Sequence, residues 1–290
     1  MADFNAQVIT STLPGCGISL KMPHYPAVLE VMDEALWFEV HTENYCGIGG
    51  TKIAALRDVA ERYPISFHGV GASLGGPSPL CQTHLSQVKR LVKQFNPALV
   101  SEHAVWSRLE QSYFADLLPL PRNRQIFRNL ASGIQQYQEC IQRPILIENP
   151  THYLSMQHEM SEPDWLIELC RSTGCGVLLD ITNLLLSEVN CGINARAYID
   201  AMPASLIGEL HIAGYSVDPI EGHALLIDSH DHAPQPEVLQ LLAYALRRFG
   251  TRPVLLEWDD KIPTLTELLI QRRKIAALVK SETQENHVDA

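Results

Sequence analysis

Short apolar runs recur along the whole chain, and stretches of helical spacing separate many of them. The runs are CGISL (16–20), LWFEV (36–40), PISFH (64–68), ALVSEH (98–103), PILIEN (144–149), GVLLDIT (176–182), LIGELHIAG (206–214) and PVLLEW (253–258). Each is nearly continuous in apolar character, the pattern of a parallel strand covered on both faces. Helical periodicity marks residues 51–63, between Gly49–Gly50 and Pro64, and residues 83–95, with Thr83 as N-cap. It also marks 162–174, ending at Gly174, and 235–250, ending at Gly250 with Arg247 and Arg248 on the negative pole of the helix. A last periodic stretch covers 264–281, and 282–290 reads as a frayed tail. Eight strands alternating with helices, without linker or repeat, predict one α/β domain over 1–290, a (β/α)8 TIM barrel. A doubly wound open sheet is the alternative, but no G-x-G-x-x-G or Walker sequence follows an early strand.

Composition narrows the partners. The chain of 290 residues is 46% apolar, ample for a core, and carries a formal charge of −11, which argues against nucleic acid or an anionic membrane as main partner. No run of 18 apolar residues predicts a membrane span, and residues 1–15 lack the basic head and apolar core of a secretory signal. Seven cysteines are scattered without a C-x-x-C pair, so neither a disulfide framework nor a zinc ribbon is expected, and the reducing cytoplasm is the expected location.

The chemistry lies where the runs end. In a barrel the active site forms at the C-terminal ends of the strands. Those ends carry Glu39, His41, Glu43 and Asn44 on the second strand, His68 on the third, Glu102 and His103 on the fourth, and Glu148 and Asn149 on the fifth. They continue with Asp180 and Asn183 on the sixth, Glu209 and His211 on the seventh, and Glu257 and Asp259 on the eighth. The segment LLIDSHDH (225–232), in the connection before the last strand, would fold over the same rim and add Asp228 and His230. Carboxylates crowded in a dry mouth cannot all stay ionised unless cations sit between them. Carboxylates, imidazoles and an amide without cysteine suit iron, manganese or zinc, and so many donors exceed what one ion needs. Two or three metals with bridging carboxylates are the economical reading.

Plainer roles compete at single positions. Glu39, Glu43, Glu102 and Glu209 are also candidates for caps or ion-pair partners, and Cys46 for an inert thiol. His24 is expected to pack on Tyr25. His84, His152, His158, His223 and His287 fall in predicted helices, loops or the tail and are not expected as ligands. Because side chains alternate along a strand, only one of Glu102 and His103, and one of Glu148 and Asn149, can face the barrel axis, whereas Glu209 and His211 share a face.

The segments PGCGISLKMPHY, HGVGASLGG, LVSEHAVWS, LLPLP, LIENP, TGCGVLLDITN, GELHIAG, LLIDSHD and LLEWDDKIP occur in this order. Together they resemble the multinuclear non-haem iron-dependent oxidative enzymes, a bacterial family that includes the oxidase of methanobactin biosynthesis. The resemblance spans nearly the whole chain. It implies a TIM barrel holding two or three irons, with dioxygen as co-substrate. The implied activity is oxidative rearrangement of cysteine in a ribosomally made precursor peptide, which a small partner protein helps to present. Carried over by motif, the ligands would be His68, His103, Glu148, Asp180, Asn183, His211, Asp228, His230 and Glu257, with Asp259 as a base or supporting acid. Two departures concern the substrate side: LDITN is followed by Leu184 and Leu185 where relatives often have Tyr, and Tyr215 stands where relatives have His. Other metal-dependent barrels, of the endonuclease IV or xylose isomerase type, and a non-catalytic metal-binding protein are the rival readings.

Overall fold

The computed structural model describes residues 13–47, 49–110 and 112–285. The strands in chain order are β1 (Cys16–Ser19), β2 (Phe38–His41), β3 (Ile65–Gly69), β4 (Leu99–His103), β5 (Trp106–Leu109) and β6 (Ser112–Leu118). They continue with β7 (Leu146–Glu148), β8 (Gly176–Asp180), β9 (Ile207–Ile212), β10 (Ser216–Asp218), β11 (Gly222–Ile227) and β12 (Val254–Leu256). Eight of them close into a parallel TIM barrel in the order β1-β12-β9-β8-β7-β4-β3-β2, with helices between successive strands, so the predicted fold class is the observed one. All eight predicted runs overlap a barrel strand, and β2 and β3 extend one residue past theirs. The two remaining pairs, β5–β6 and β10–β11, are antiparallel hairpins that the apolar pattern did not signal.

Each periodic stretch is a helix, with shifted ends. Residues 51–63 become Thr51–Ala60, and 83–95 becomes Gln82–Phe95, where Thr83 lies inside and Cys81 takes the N-cap position without a side-chain bond. Gly174 caps its helix with φ 75°, a conformation glycine adopts without a Cβ penalty. Two long helices went unpredicted: Arg124–Ile141, capped by Asn123, and Ile181–Cys191, which begins inside the run read as a strand. The last helix runs Leu265–Glu285, past the expected start of the tail, and residues 286–290 lie outside the described residues.

Two cores follow from strand alternation. One fills the space between strands and helices. The other, Leu13, Trp37, Leu99, Leu146, Leu178 and Leu255, plugs the lower barrel. Trp37 fits because Gly17 lacks a side chain, since a Cβ there would lie 2.3 Å from the indole. Two or four residues further along the same strands, the inward positions turn polar: Glu39, His41, Ser101, His103, Glu148, Asp180 and Glu257. An apolar plug below thus carries a polar mouth above.

Candidate metal centre at the barrel mouth

Parallel pairing sets the mouth's neighbours. The register places His41 beside His68, His103 beside Glu148, and Asp180 beside His211. Around Glu148, His68 Nε2 and His103 Nε2 stand 3.3 and 3.2 Å from the same oxygen, Oε2. Neither contact is a hydrogen bond, because Glu148 Oε2 is buried without a hydrogen-bond partner. The far nitrogens explain why. His103 Nδ1 lies 3.0 Å from Gly69 O, a carbonyl that only accepts, so Nδ1 carries the proton and Nε2 presents a lone pair. His68 Nδ1 lies 2.7 Å from Ser101 Oγ, whose own proton points to Phe67 O, so the same tautomer follows. Two lone pairs and a carboxylate oxygen converge on one point with nothing donated to it. Two donors about 2.1 Å from an ion at the tetrahedral angle stand about 3.4 Å apart, so the spacing is that of ligands sharing a cation. The far-nitrogen bonds are those that orient metal-binding imidazoles.

The second half of the mouth gathers donors too, with no hydrogen bond to fix the His211 tautomer. His211 Nδ1 is 3.6 Å from Glu257 Oε2, and His230 Nδ1 is 3.4 Å from that same oxygen. Both His211 nitrogens and Asp180 Oδ2 are buried without partners. Asp180 divides its carboxylate: Oδ1 accepts from Asn183 N at 2.6 Å and caps the helix Ile181–Cys191, which leaves Oδ2 free to face the interior. Asn149 turns away from the axis and ties the strand ends together, donating to Asp180 O and accepting from Asp180 N. His230 reaches the mouth from a left-handed backbone, φ 49°, on the segment after β11, and Asp228 Oδ1 lies 2.7 Å from its Nε2. Among the described residues four overlapping donor groups result: His68–His103–Glu148, Glu148–Asp180–His211, Glu39–His211–Glu257 and His41–Glu257–Asp259. Glu148, His211 and Glu257 each belong to two of them, as bridging positions would.

Electrostatics agree. Burial, reinforced by the neighbouring imidazoles, holds His68 well below the usual imidazole range, and burial brings His103 down to about 4, so both are neutral. Burial, with the charges of Asp228 and Glu257, pushes Asp180 up to about 7, and burial raises Glu148 well above the carboxylate range. Burial would also raise Glu257, but His211 and His230 hold it well below. In metal-free protein the protons that take a cation's place sit on Glu148 and on His211 and His230, which the surrounding carboxylates raise well above the usual imidazole range against burial, while Glu257 stays ionised.

The nine carried-over positions do converge, though not all as expected. Asn183 points its amide nitrogen at Glu148 Oε1 (3.3 Å), and its oxygen is taken by Thr151 Oγ1 (2.5 Å), so coordination through oxygen would require the amide to turn over. Asp259 sits at the outer rim, 2.5 Å from Lys21 Nζ and 3.3 Å from His41 Nε2. Glu102 faces away from the axis, accepting from Ala72 N and His103 N, while Glu43 binds His84 and the amides of Val70 and Gly71. His24 bonds Pro263 O, and Tyr25 turns to Tyr45 instead. Glu39 and Glu209, read from sequence as equal candidates for caps, point into the barrel beneath His211, and alternation from His41 and His211 was the signal for both. The cavity above the cluster measures about 210 Å³, and Val70, Asp116, Leu117, Pro150 and Tyr153 complete its wall. A larger flank hollow, about 470 Å³ at Arg122 and Trp165, shares no residue with it and gathers none of these donors.

A closed parallel barrel whose mouth gathers carboxylates and imidazoles defines a TIM-barrel protein with a candidate metal centre. The chain matches the family model of the RiPP precursor modification enzyme MbnB/TglH/ChrH over residues 15–280, and it belongs to that family. Among relatives, a UPF0276 protein of Caulobacter vibrioides is 43% identical over 270 residues, covering 92% of this chain and 96% of the relative. A UPF0276 protein of Chromobacterium violaceum is 42% identical over 271 residues, covering 93% and 96%. Among solved structures, endonuclease IV from Thermus thermophilus superposes with a TM-score of 0.60 at 16% identity, over 92% of this chain and all of that one (100%). D-psicose 3-epimerase from Clostridium cellulolyticum gives 0.58 at 9%, over 94% and 96%. At these identities the likeness is one of fold.

Proposed function

We propose that this protein is a multinuclear iron, dioxygen-dependent oxidase that modifies cysteine in a ribosomally made precursor peptide. The observation that carries the metal part is the convergence of unprotonated His68 and His103 nitrogens on the orphaned Glu148 oxygen. Family membership supports the peptide, and a donor set of carboxylates and imidazoles without cysteine leaves sulfur coordination to the substrate. His68, His103, Glu148, Asp180, His211, Asp228, His230 and Glu257 would hold two or three irons, with Asn183 joining if its amide turns. Bound iron supplies a binding place for dioxygen and for the substrate thiolate. The protein's own groups do the rest. Tyr153 and Leu117 line the cavity through which a peptide side chain would reach the metals. Asp259, 2.5 Å from Lys21 at the rim, would take the proton the cysteine thiol gives up. Dioxygen is the oxidant and the cysteine residue is oxidised. A small partner protein presents the peptide, and the seven unpaired cysteines suit a reducing cytoplasm.

The test is anaerobic reconstitution with ferrous iron, then addition of a cysteine-containing peptide encoded beside the gene, then dioxygen. About two to three irons per chain, a mass change in the peptide and none in its Cys→Ser form are expected. One tightly held zinc in every preparation, equal turnover of the Ser peptide, or sugar conversion without oxygen would overturn the reading.

A further inference from the structure

Beneath the mouth lies a buried group of charges that the nine proposed ligands do not use. Glu39 on β2 and Glu209 on β9 are 2% and 0% exposed. Strand β2 is separated from β9 by β1 and β12 in the barrel, so Glu39 reaches His211 across the interior. Its Oε2 accepts from Ser66 Oγ at 2.9 Å, which fixes the carboxylate, while Oε1 has no partner. Glu209 is two residues before His211 on the same inward face, and neither of its oxygens has a partner. Both carboxylates approach one atom: Glu39 Oε1 lies 3.4 Å and Glu209 Oε1 lies 3.8 Å from His211 Nε2. The opposite nitrogen, Nδ1, faces Glu257. Buried polar atoms left without partners call for an explanation, and two carboxylates under one imidazole edge supply it together. An imidazole that binds a metal through one nitrogen donates the other N–H to a carboxylate, which fixes its tautomer and strengthens it as a ligand.

We infer that Glu39 and Glu209 are positioning residues for His211: they receive its Nε2–H from below, so that Nδ1 is offered to a metal ion beside Glu257. This rests on the metal reading proposed above. A ring shift of about 0.5 Å brings Nε2 within hydrogen-bond range of Glu39. Ser66 is part of the device because it keeps the Glu39 carboxylate from turning to another partner.

The test is an anaerobic titration of chelator-stripped protein with Co²⁺ alone, followed by its visible absorption, with thermal unfolding of the metal-free forms alongside. For Glu39→Ala and Glu209→Ala, one class of bound cobalt should weaken about 10–100-fold and its band should shift. Thermal unfolding of the metal-free forms reads folding apart from metal binding. Glu39→Gln and Glu209→Gln, nearly isosteric, secure the test if the alanine forms do not fold. Each keeps an acceptor, so affinity should stay within a few-fold of wild type, whereas the band should move because the imidazole loses an anionic partner. Wild-type affinity and an unchanged band in the alanine forms, or in both glutamine forms, would overturn the inference. Loss of a whole equivalent in Glu39→Ala, with Glu209→Ala unchanged, would make Glu39 a direct ligand and overturn it as well. If wild-type protein binds no cobalt, the metal reading itself fails, which separates that failure from this one.

Discussion

At the scale of single residues, one carboxylate shows how local structure and site chemistry share a side chain. Asp180 caps a helix with one oxygen and faces the mouth with the other. Asp180→Ala therefore mixes two losses, a cap of about 1 kcal/mol and a candidate ligand. Asp180→Asn keeps an acceptor for Asn183 N and removes only the charge. We expect Asp180→Asn and His230→Ala to lower bound iron, measured by elemental analysis, with little change in unfolding free energy; full metal content in both would remove these positions from the site. Glu43 works away from the axis. Burial alone would raise it and would lower His84, yet the bond between them depresses Glu43 and raises His84. His84's contribution is thus complete below its ordinary value of 6.5 and is lost as pH rises through the raised value. Glu43's is complete above 4.5 and is lost as pH falls through the depressed one. His84→Ala should cost about 1–2 kcal/mol near pH 6 in urea unfolding, and the gap should close toward pH 9. A gap independent of pH would mean the pair is not its source.

At the scale of elements, the segment carrying Asp228 and His230 is seated on the end of β9. A Cβ at Gly214 would lie 2.2 Å from His232 O, a backbone atom that cannot yield without moving the segment. Gly214→Ala should leave the barrel folded, cost about 1–3 kcal/mol and weaken metal retention through His230. Unchanged stability and metal content would show that the segment is not held there. The β5–β6 hairpin is the other added element, and Asp116 and Leu117 bring it into the cavity wall. Replacing residues 107–117 by a short turn should preserve iron content, because no proposed ligand lies there, while slowing peptide modification. Lost iron with the hairpin removed would instead make it part of the metal scaffold.

At the scale of the molecule, exposed large apolar side chains gather on the connections that follow the strands' C-terminal ends: Met22, Leu109, Tyr113, Phe114, Leu154 and Ile220. A rim of this kind suits a peptide laid across the mouth. No helix among the described residues is long and apolar enough to cross a membrane. The mouth's crowded carboxylates also couple metal to stability, since a cation relieves repulsion only in the folded barrel. Ferrous or manganous ion at 100 times its dissociation constant should add about 2.7 kcal/mol per site. That amounts to a rise of several degrees in Tm by anaerobic calorimetry, reversed by chelator. An identical Tm with and without metal would contradict a folded-state site.

The barrel strands were legible in the sequence because parallel strands buried on both faces leave uninterrupted apolar runs. The recurrence of acids and imidazoles at their ends was legible because a barrel gathers those ends by topology alone. The helix Arg124–Ile141 and three further features were not. The helix Ile181–Cys191 hid behind a strand whose apolar residues continue into it, so only the Asp180 cap marks the boundary. The β5–β6 and β10–β11 hairpins are too exposed to write a buried pattern. Finally, Glu39 and Glu43 look alike in sequence, as do Glu102 and Glu148. Alternation turns Glu39 and Glu148 inward, but only the closed barrel brings Glu39 to an imidazole across the interior and Glu148 to those of the neighbouring strands, while Glu43 and Glu102 are consumed by backbone amides outside it. Residue type supplies a possible donor; the direction of the side chain and the absence of any nearer hydrogen-bond partner, both set by packing, determine whether it remains available.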